Sequence, residues 1–129
     1  FGYHLSLKQM VRIADCVNAN HLFCVSVATV EDIRALLERR NGYQITVENI
    51  RSFTILFDTL LENGMISWNW KAAMARGGHL LSKKTGKPIS ATTLSSALSE
   101  IKNRPTPVSK RIVDEIREIA IMLDDNEAE

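Results

Sequence analysis

The chain has 129 residues, 45% of them hydrophobic, which is enough to fold as one domain with a substantial core. No apolar run approaches the roughly 20 residues that a membrane-spanning helix needs, and no secretory signal is visible. We therefore expect a cytoplasmic protein without a membrane partner. Because the sequence starts with Phe1 instead of Met, we also expect it to be part of a longer chain.

The formal net charge of +1 hides an uneven distribution of charge along the chain. Residues 1–66 carry six Lys or Arg and seven Asp or Glu. Residues 67–112 carry nine Lys or Arg against the single acid Glu100, a net charge of +8. Residues 113–129 carry Arg117 against seven acids, a net charge of −6. A basic block of this size indicates a polyanionic partner, whereas the acidic end is typical of a solvated terminus.

Four helices are predicted before residue 80. Ser6 and Gln9 form a capping box, which predicts a helix over about 6–19. The apolar stretch 20–28 fits either a strand or a buried connection. Thr29 and Asp32 open a second helix, which Gly42 is expected to close. A third helix over 46–63, capped by Thr46 and ended by Gly64, has an apolar face with Phe53 and Phe57 and is expected at the centre of the core. A short helix over about 69–76 ends at a glycine pair.

A helix over 90–103 is predicted from the apolar residues Leu94, Ala97, Leu98 and Ile101 at helical spacing, with Ser90 as its cap. The other faces carry polar and almost uncharged side chains, where a solvent-facing helix usually carries Glu and Lys. They are Thr92, Thr93, Ser95, Ser96, Ser99, Lys102 and Asn103. Short hydroxyl side chains let another surface approach closely and can hydrogen-bond to phosphate oxygens and base edges.

The last helix is predicted to start at Thr106 with Pro107 in its first turn. Its apolar stripe consists of Val108, Ile112, Ile116, Ile119 and Leu123, and Val113, Ile121 and Met122 widen it. A helix that packs only on its own domain needs one stripe. The extra apolar flank therefore indicates contact with the body of the domain or with a second chain. We expect it either to form a homodimer through this terminal helix or to dock a preceding N-terminal region.

The helices at 69–76 and 90–103, set on the helix at 46–63, predict a helix-turn-helix or winged-helix-like C-terminal part of a compact, mainly α domain. The connection Gly77–Ile89 is longer than a tight turn, and winged variants tolerate such insertions. It contains three lysines that could meet phosphates, Lys83, Lys84 and Lys87. We take 1–129 as a single helical domain and 46–125 as its DNA-binding region.

Other motifs give little support for catalysis or metal binding. The "KKTGK" segment lacks the spacing of a phosphate loop and has Pro88 where the hydroxyl residue should stand. Cys16, His21 and Cys24 could supply three metal ligands but have no obvious fourth, and two buried thiols in a reducing compartment are the preferred interpretation. The three histidines show no spacing typical of a catalytic set. We expect no enzyme activity, no cofactor and no metal.

Trp68 and Trp70 could stack on bases, but side chains at this spacing more often pin a short helix to the core, and we favour that interpretation.

Three segments carry a family resemblance: "LLENGMI" at 60–66, "SALSEIKNR" at 96–104 and "KRIVDEIREIAIMLDD" at 110–125. Their order, with Glu100-Ile101-Lys102 closing a helix and Asp124-Asp125 ending an acidic terminal helix, resembles the C-terminal region of RteC-type regulators from Bacteroides conjugative transposons. The basic loop 77–89 departs from that pattern. The resemblance implies a helix-turn-helix or winged-helix DNA-binding regulator encoded on a mobile element.

The charge distribution and the resemblance together predict a transcriptional regulator that binds double-stranded DNA. The basic residues expected to contact DNA are Lys71, Arg76, Lys83, Lys84, Lys87, Lys102, Lys110 and Arg111. The hydroxyl residues expected to read it are Thr92, Thr93, Ser95, Ser96 and Ser99. The alternative is a helical interaction or dimerisation module of a larger regulator, without direct DNA contact.

Overall fold

The computed structural model describes residues 2–122, which form six helices and two short strands. The predicted mainly α fold is therefore confirmed. The elements in chain order are α1 (Leu7–Ala19), α2 (Val30–Leu37), β1 (Ile45–Val47), α3 (Ile50–Glu62), α4 (Trp70–Gly77), β2 (Leu80–Ser82), α5 (Ala91–Asn103) and α6 (Pro107–Ala120). Among residues 2–122, no helix has the length and apolar character needed to span a membrane.

Most helix starts follow the local capping patterns of the sequence. The capping boxes of Ser6 with Gln9 and of Thr29 with Asp32 both form, which satisfies backbone N–H groups at the starts of α1 and α2. Ser90 caps α5, and Thr106 caps α6 in a third capping box, with Pro107 in the first turn. These starts are confirmed because each depends only on residues three positions apart.

The predicted start of the third helix was wrong. Thr46 lies in β1, and the N-cap of α3 is Asn49, whose side chain accepts a hydrogen bond from the backbone N–H of Ser52 at 3.1 Å. Ile45 and Val47 are buried and extended because β1 pairs in parallel with β2, with Ile45 opposite Leu80. Thr46 is thus held in a strand, and its carbonyl accepts a hydrogen bond from Cys24.

The second helix is shorter than predicted, and the segment 20–28, for which the sequence allowed a strand or a connection, is a connection. The second helix ends at Leu37 instead of continuing to Gly42, because Arg39 adopts a left-handed backbone conformation (φ 50°) and residues 38–42 turn toward β1. The segment 20–28 is a connection between α1 and α2, with only an isolated bridge between Phe23 and Val47. Its residues Leu22 and Phe23 are buried, whereas residues 24–27 are exposed.

The core is centred on α3, as predicted, and α3 packs against both α5 and α6. The fully buried Phe53 ring lies 4.9 Å from Phe57 and 6.2 Å from Trp70, measured between ring centroids. Trp70 therefore fixes α4 to the core. This is the structural role that we favoured over base stacking for the tryptophans. The buried apolar residues of α6 are Ile112, Ile116 and Ile119, whereas the predicted stripe residue Leu123 lies outside the described residues.

The connection between α4 and α5 contains a strand and a tight basic turn. After β2 the chain reverses, with hydrogen bonds from Ser82 N to Lys87 O (2.9 Å) and from Ile89 N to Leu80 O (2.8 Å). We call residues 83–87 the wing loop. Gly86 adopts a positive φ of 71°, which permits the turn. The start of β2 is held by the buried His79, whose Nδ1 lies 2.8 Å from the carbonyl oxygen of Tyr43. These hydrogen bonds hold the two ends of the wing loop in place beside α5.

Candidate nucleic-acid interface

Helix α5 presents its hydroxyl residues to solvent because its apolar stripe is fully used in the core. Leu94, Ala97, Leu98 and Ile101 are buried against α3 and α4. The five hydroxyl residues predicted to read DNA are all exposed: Thr92, Thr93, Ser95, Ser96 and Ser99. Within α5, Glu100 is the only acid. The face is therefore polar, built of short side chains and open to a partner.

The hydroxyl residues divide into two sets around the helix. Thr93, Ser96 and Glu100, together with Ala97, follow the i, i+3, i+4, i+7 spacing and line an open groove of about 690 Å³. The opposite wall of this groove comes from the α1–α2 connection, from the start of α3 and from Lys84 of the wing loop. Thr92, Ser95 and Ser99 lie on the other side of the exposed face, outside this groove.

A second groove, of about 830 Å³, lies between the wing loop, the end of β1 and the start of α5. It shares Glu48, Ile50, Lys84 and Thr93 with the first groove, so the two form one continuous concave surface. We call this the α5–wing surface: the stripe of Thr93, Ser96 and Glu100, the wing loop, and the segment Glu48–Arg51.

The three lysines of the wing loop are all exposed but differ in their contacts. Nζ of Lys83 lies 2.5 Å from Oε2 of Glu48. This hydrogen bond, reinforced by the opposite charges, raises the pKa of Lys83 and lowers the pKa of Glu48. Lys84 and Lys87 make no ion pair with any residue in the range 2–122. Their ammonium groups are therefore available to an anionic partner. Lys83 instead connects the wing loop to Glu48, which precedes α3, through its ion pair.

Lys102, also predicted to contact DNA, lies on the flank of α5 that faces α3. Its Nζ lies 2.8 Å from Oδ2 of Asp58 and 3.9 Å from Oε2 of Glu62. The ion pair with Asp58, followed by the nearby charge of Glu62, raises the pKa of Lys102. This lysine thus connects two core helices and is placed as a structural contact.

The remaining predicted cations lie outside the two grooves. Lys71 is half-buried on α4, with Nζ 5.9 Å from the centroid of the Trp70 ring. Arg76 is exposed near the end of α4, and Lys110 is exposed in the first part of α6. Arg111 donates to Oδ1 of Asn20 at 3.2 and 3.3 Å, and Asn20 lines the first groove. The start of α6 therefore lies next to the first groove, whereas no residue of α4 lines either groove.

Several residues of this surface were missed by the sequence analysis. Arg51 at the start of α3 donates from Nε and Nη2 to Oε2 of Glu100, at 2.8 and 2.6 Å. His21, in the α1–α2 connection, lines the first groove with a left-handed backbone (φ 52°). No local pattern indicates these residues, because Arg51 and Glu100 are 49 positions apart and the α1–α2 connection precedes the region assigned to DNA binding.

The expectation of two buried thiols was wrong for one of them. Cys16 is buried, whereas Cys24 is exposed. Burial raises the pKa of Cys16 to about 11. Partial desolvation and the adjacent Glu48 carboxylate, 3.6 Å from Sγ, raise the pKa of Cys24. Across residues 2–122, no group of three or more His, Cys, Asp or Glu side chains is arranged to hold a metal ion.

Comparison of the chain with family models, with curated proteins and with solved structures found no significant match to any of them.

Proposed function

We propose that the protein binds double-stranded DNA through the α5–wing surface and acts as a transcriptional regulator. The observation that carries this proposal is the placement of Lys84, which lines both grooves, beside the hydroxyl-rich face of α5. Lys84 and Lys87, both exposed in the wing loop, make no ion pair with any residue in the range 2–122. Phosphate contacts by lysine supply sequence-independent affinity, whereas hydroxyl groups on a helix can reach base edges.

The dimensions of α5 suit such a role. Its 13 residues span about 20 Å, and the major groove of B-DNA, about 12 Å wide, admits one α-helix. Short hydroxyl side chains let the helix approach the bases closely, and Glu100 is the only acid on the exposed face of α5. With α5 in the major groove, the wing loop beside its first turn would meet the adjacent phosphate backbone.

The arrangement favours a winged variant over a tight helix-turn-helix. Helices α4 and α5 pack against each other, but the 13 residues 78–90 that connect them contain β2 and the wing loop. A winged arrangement accommodates both, with α5 as the reading helix and the wing loop as a backbone contact. The resemblance to RteC-type regulators points to the same class and to a regulator encoded on a mobile element.

A titration of the protein against a random-sequence duplex of about 30 base pairs, followed by fluorescence anisotropy, tests the proposal. We expect binding at 50 mM salt that weakens steeply at 200 mM, because each phosphate contact releases condensed counterions. A protein that binds no duplex at 50 mM salt, or binds equally at both concentrations, would overturn the proposal.

The alternative function, an interaction or dimerisation module, is favoured by one observation. Ile121, directly after α6, is 80% exposed, although it continues the apolar flank of that helix. An apolar side chain this exposed at the end of a predicted contact surface suits a second copy of the chain. A dimer would also present two copies of α5 to one duplex. Dimerisation is therefore compatible with DNA binding, and sedimentation of the protein tests it separately. An interaction module without direct DNA contact would instead show no salt-dependent binding of the duplex.

A further inference from the structure

Glu100 occupies an unexpected position for an acid. It is the only Asp or Glu among residues 67–112, and it lies on the stripe of α5 that lines the first groove, together with Thr93 and Ser96. A carboxylate next to DNA phosphates weakens binding, so affinity alone does not account for it. Carboxylates do, however, accept hydrogen bonds from the amino groups on base edges.

The contacts of Glu100 leave one carboxylate oxygen open. Arg51 donates two hydrogen bonds, from Nε at 2.8 Å and Nη2 at 2.6 Å, and both reach Oε2. Oε1 accepts no hydrogen bond from any residue in the range 2–122. Because the planar guanidinium fixes one oxygen from two directions, it also sets the orientation of the other.

The other carboxylate of the surface, Glu48, is engaged on both oxygens. Oε1 accepts from Sγ of Cys24 at 3.6 Å, and Oε2 accepts from Nζ of Lys83 at 2.5 Å. Of the two acids that line the first groove, Glu100 is thus the one with an oxygen left to accept a hydrogen bond from a ligand.

We propose that Glu100 is a specificity-determining residue whose Oε1 accepts a hydrogen bond from the N4 amino group of a cytosine in the major groove, with Arg51 as its positioning residue. This inference rests on the proposed DNA-binding function. Cytosine fits better than adenine for an electrostatic reason. Cytosine presents its amino group as a lone donor, whereas adenine places the N7 acceptor beside its amino group, and N7 repels a carboxylate.

Selection of bound duplexes from a randomised library, followed by sequencing, tests the inference on the full chain and on four variants. We expect the wild-type protein to select a motif with one C·G pair at a fixed position. Glu100→Ala should lose the preference at that position, with discrimination against the other base pairs falling about tenfold. Glu100→Gln should shift that position toward A·T, because an amide side chain matches the N6 and N7 pair of adenine. Arg51→Gln should weaken the preference at the same base pair only, and Arg51→Lys should restore part of it.

Glu118→Ala is the matched control, since Glu118 is an exposed acid on α6, away from the grooves, and its removal changes the net charge equally. It should leave the selected motif unchanged. The inference is overturned if Glu100→Ala selects the wild-type motif, or if Glu118→Ala loses the same position. A wild-type protein that retains no duplex at all overturns the proposed function, whereas one that retains duplexes without a Glu100-dependent position overturns only the inference.

Discussion

Lys102 of α5 forms an ion pair with Asp58 of α3, with 2.8 Å between Nζ and Oδ2. The side chain of Asp58 is 11% exposed, so its carboxylate is largely removed from water and depends on this partner. The sequence placed Lys102 with the DNA-contacting cations because it stands on a polar face. In the structure it joins two helices of the core, while its predicted contact with DNA stays a prediction.

The first prediction follows from the near-burial of Asp58. Lys102→Ala leaves that carboxylate without its cation, and we expect a loss of about 1–2 kcal/mol in the free energy of unfolding. Urea unfolding measures the loss. Lys84→Ala removes an exposed lysine that pairs with no acid within residues 2–122. It is the control and should change stability by less than about 0.5 kcal/mol. A stable Lys102→Ala protein with weakened duplex binding would contradict the structural role and support the predicted DNA contact of Lys102.

The elements that the sequence predicted well depend on short-range patterns. The start of α5 at Ser90 and its buried stripe from Leu94 to Ile101 lie within one helix, so their spacing alone fixes which side faces the core. The exposure of Ser95 and Ser96 follows from the same spacing. Capping patterns are equally local, which is why the starts of α1, α2, α5 and α6 were predicted correctly.

The features that the sequence did not predict depend on partners far along the chain. Thr46 has a suitable side chain for a helix cap, but β1 pairs with β2, 35 positions later, and this pairing makes Thr46 part of a strand. The pair of Arg51 and Glu100 is separated by 49 positions. Local patterns contain no information on such pairs, so the acidic member of the groove and its partner could not be identified from the sequence.

The second prediction separates the three lysines of the wing loop. Lys84→Ala and Lys87→Ala should each flatten the slope of log affinity against log salt by about 0.9, the value for one lost phosphate contact. Lys83→Ala should change the slope less, because Lys83 is already paired with Glu48. Anisotropy titrations at four salt concentrations give the slopes. Equal changes for all three variants would show that Lys83 leaves Glu48 to contact a phosphate.

The third prediction concerns the two sides of α5. Ser96→Glu places a carboxylate in the first groove and should weaken duplex binding by at least tenfold through repulsion of phosphates. Ser95→Glu adds the same charge outside that groove and should weaken binding less. Both residues are exposed, so the far-UV circular dichroism and melting temperature should stay close to wild type. A larger effect for Ser95→Glu would indicate that the opposite side of the helix faces DNA.

The fourth prediction uses the different environments of the two thiols. At pH 8 one thiol per chain should react rapidly with an aromatic disulfide reagent, and the second should react only after unfolding. The fast thiol is the exposed Cys24, whereas Cys16 is buried with its pKa raised to about 11, so little thiolate forms at pH 8.

Two variants test the assignment of the fast thiol. Cys24→Ser should abolish the fast phase. Glu48→Gln should accelerate it, because loss of the adjacent negative charge lowers the pKa of the Cys24 thiol and increases the thiolate fraction. Two fast thiols in the wild-type protein would contradict the burial of Cys16.

The last prediction tests the exposed end of α6. Ile121 is 80% exposed, so Ile121→Lys should leave the fold intact and change the melting temperature little. If Ile121 contacts a second copy of the chain, burying a lysine there is unfavourable, and the variant should sediment as a monomer at concentrations where the wild type is a dimer. Duplex binding should weaken in parallel, because a monomer presents one α5 instead of two.

Val27→Lys is the matched control for this variant. Val27 is 65% exposed in the α1–α2 connection, and the same substitution there should leave the sedimentation coefficient unchanged. A wild-type protein that sediments as a monomer at high micromolar concentration would contradict the dimer. A dimer that persists in Ile121→Lys but dissociates in Val27→Lys would move the contact from α6 to the α1–α2 connection, where Val25 and Val27 are the exposed apolar side chains.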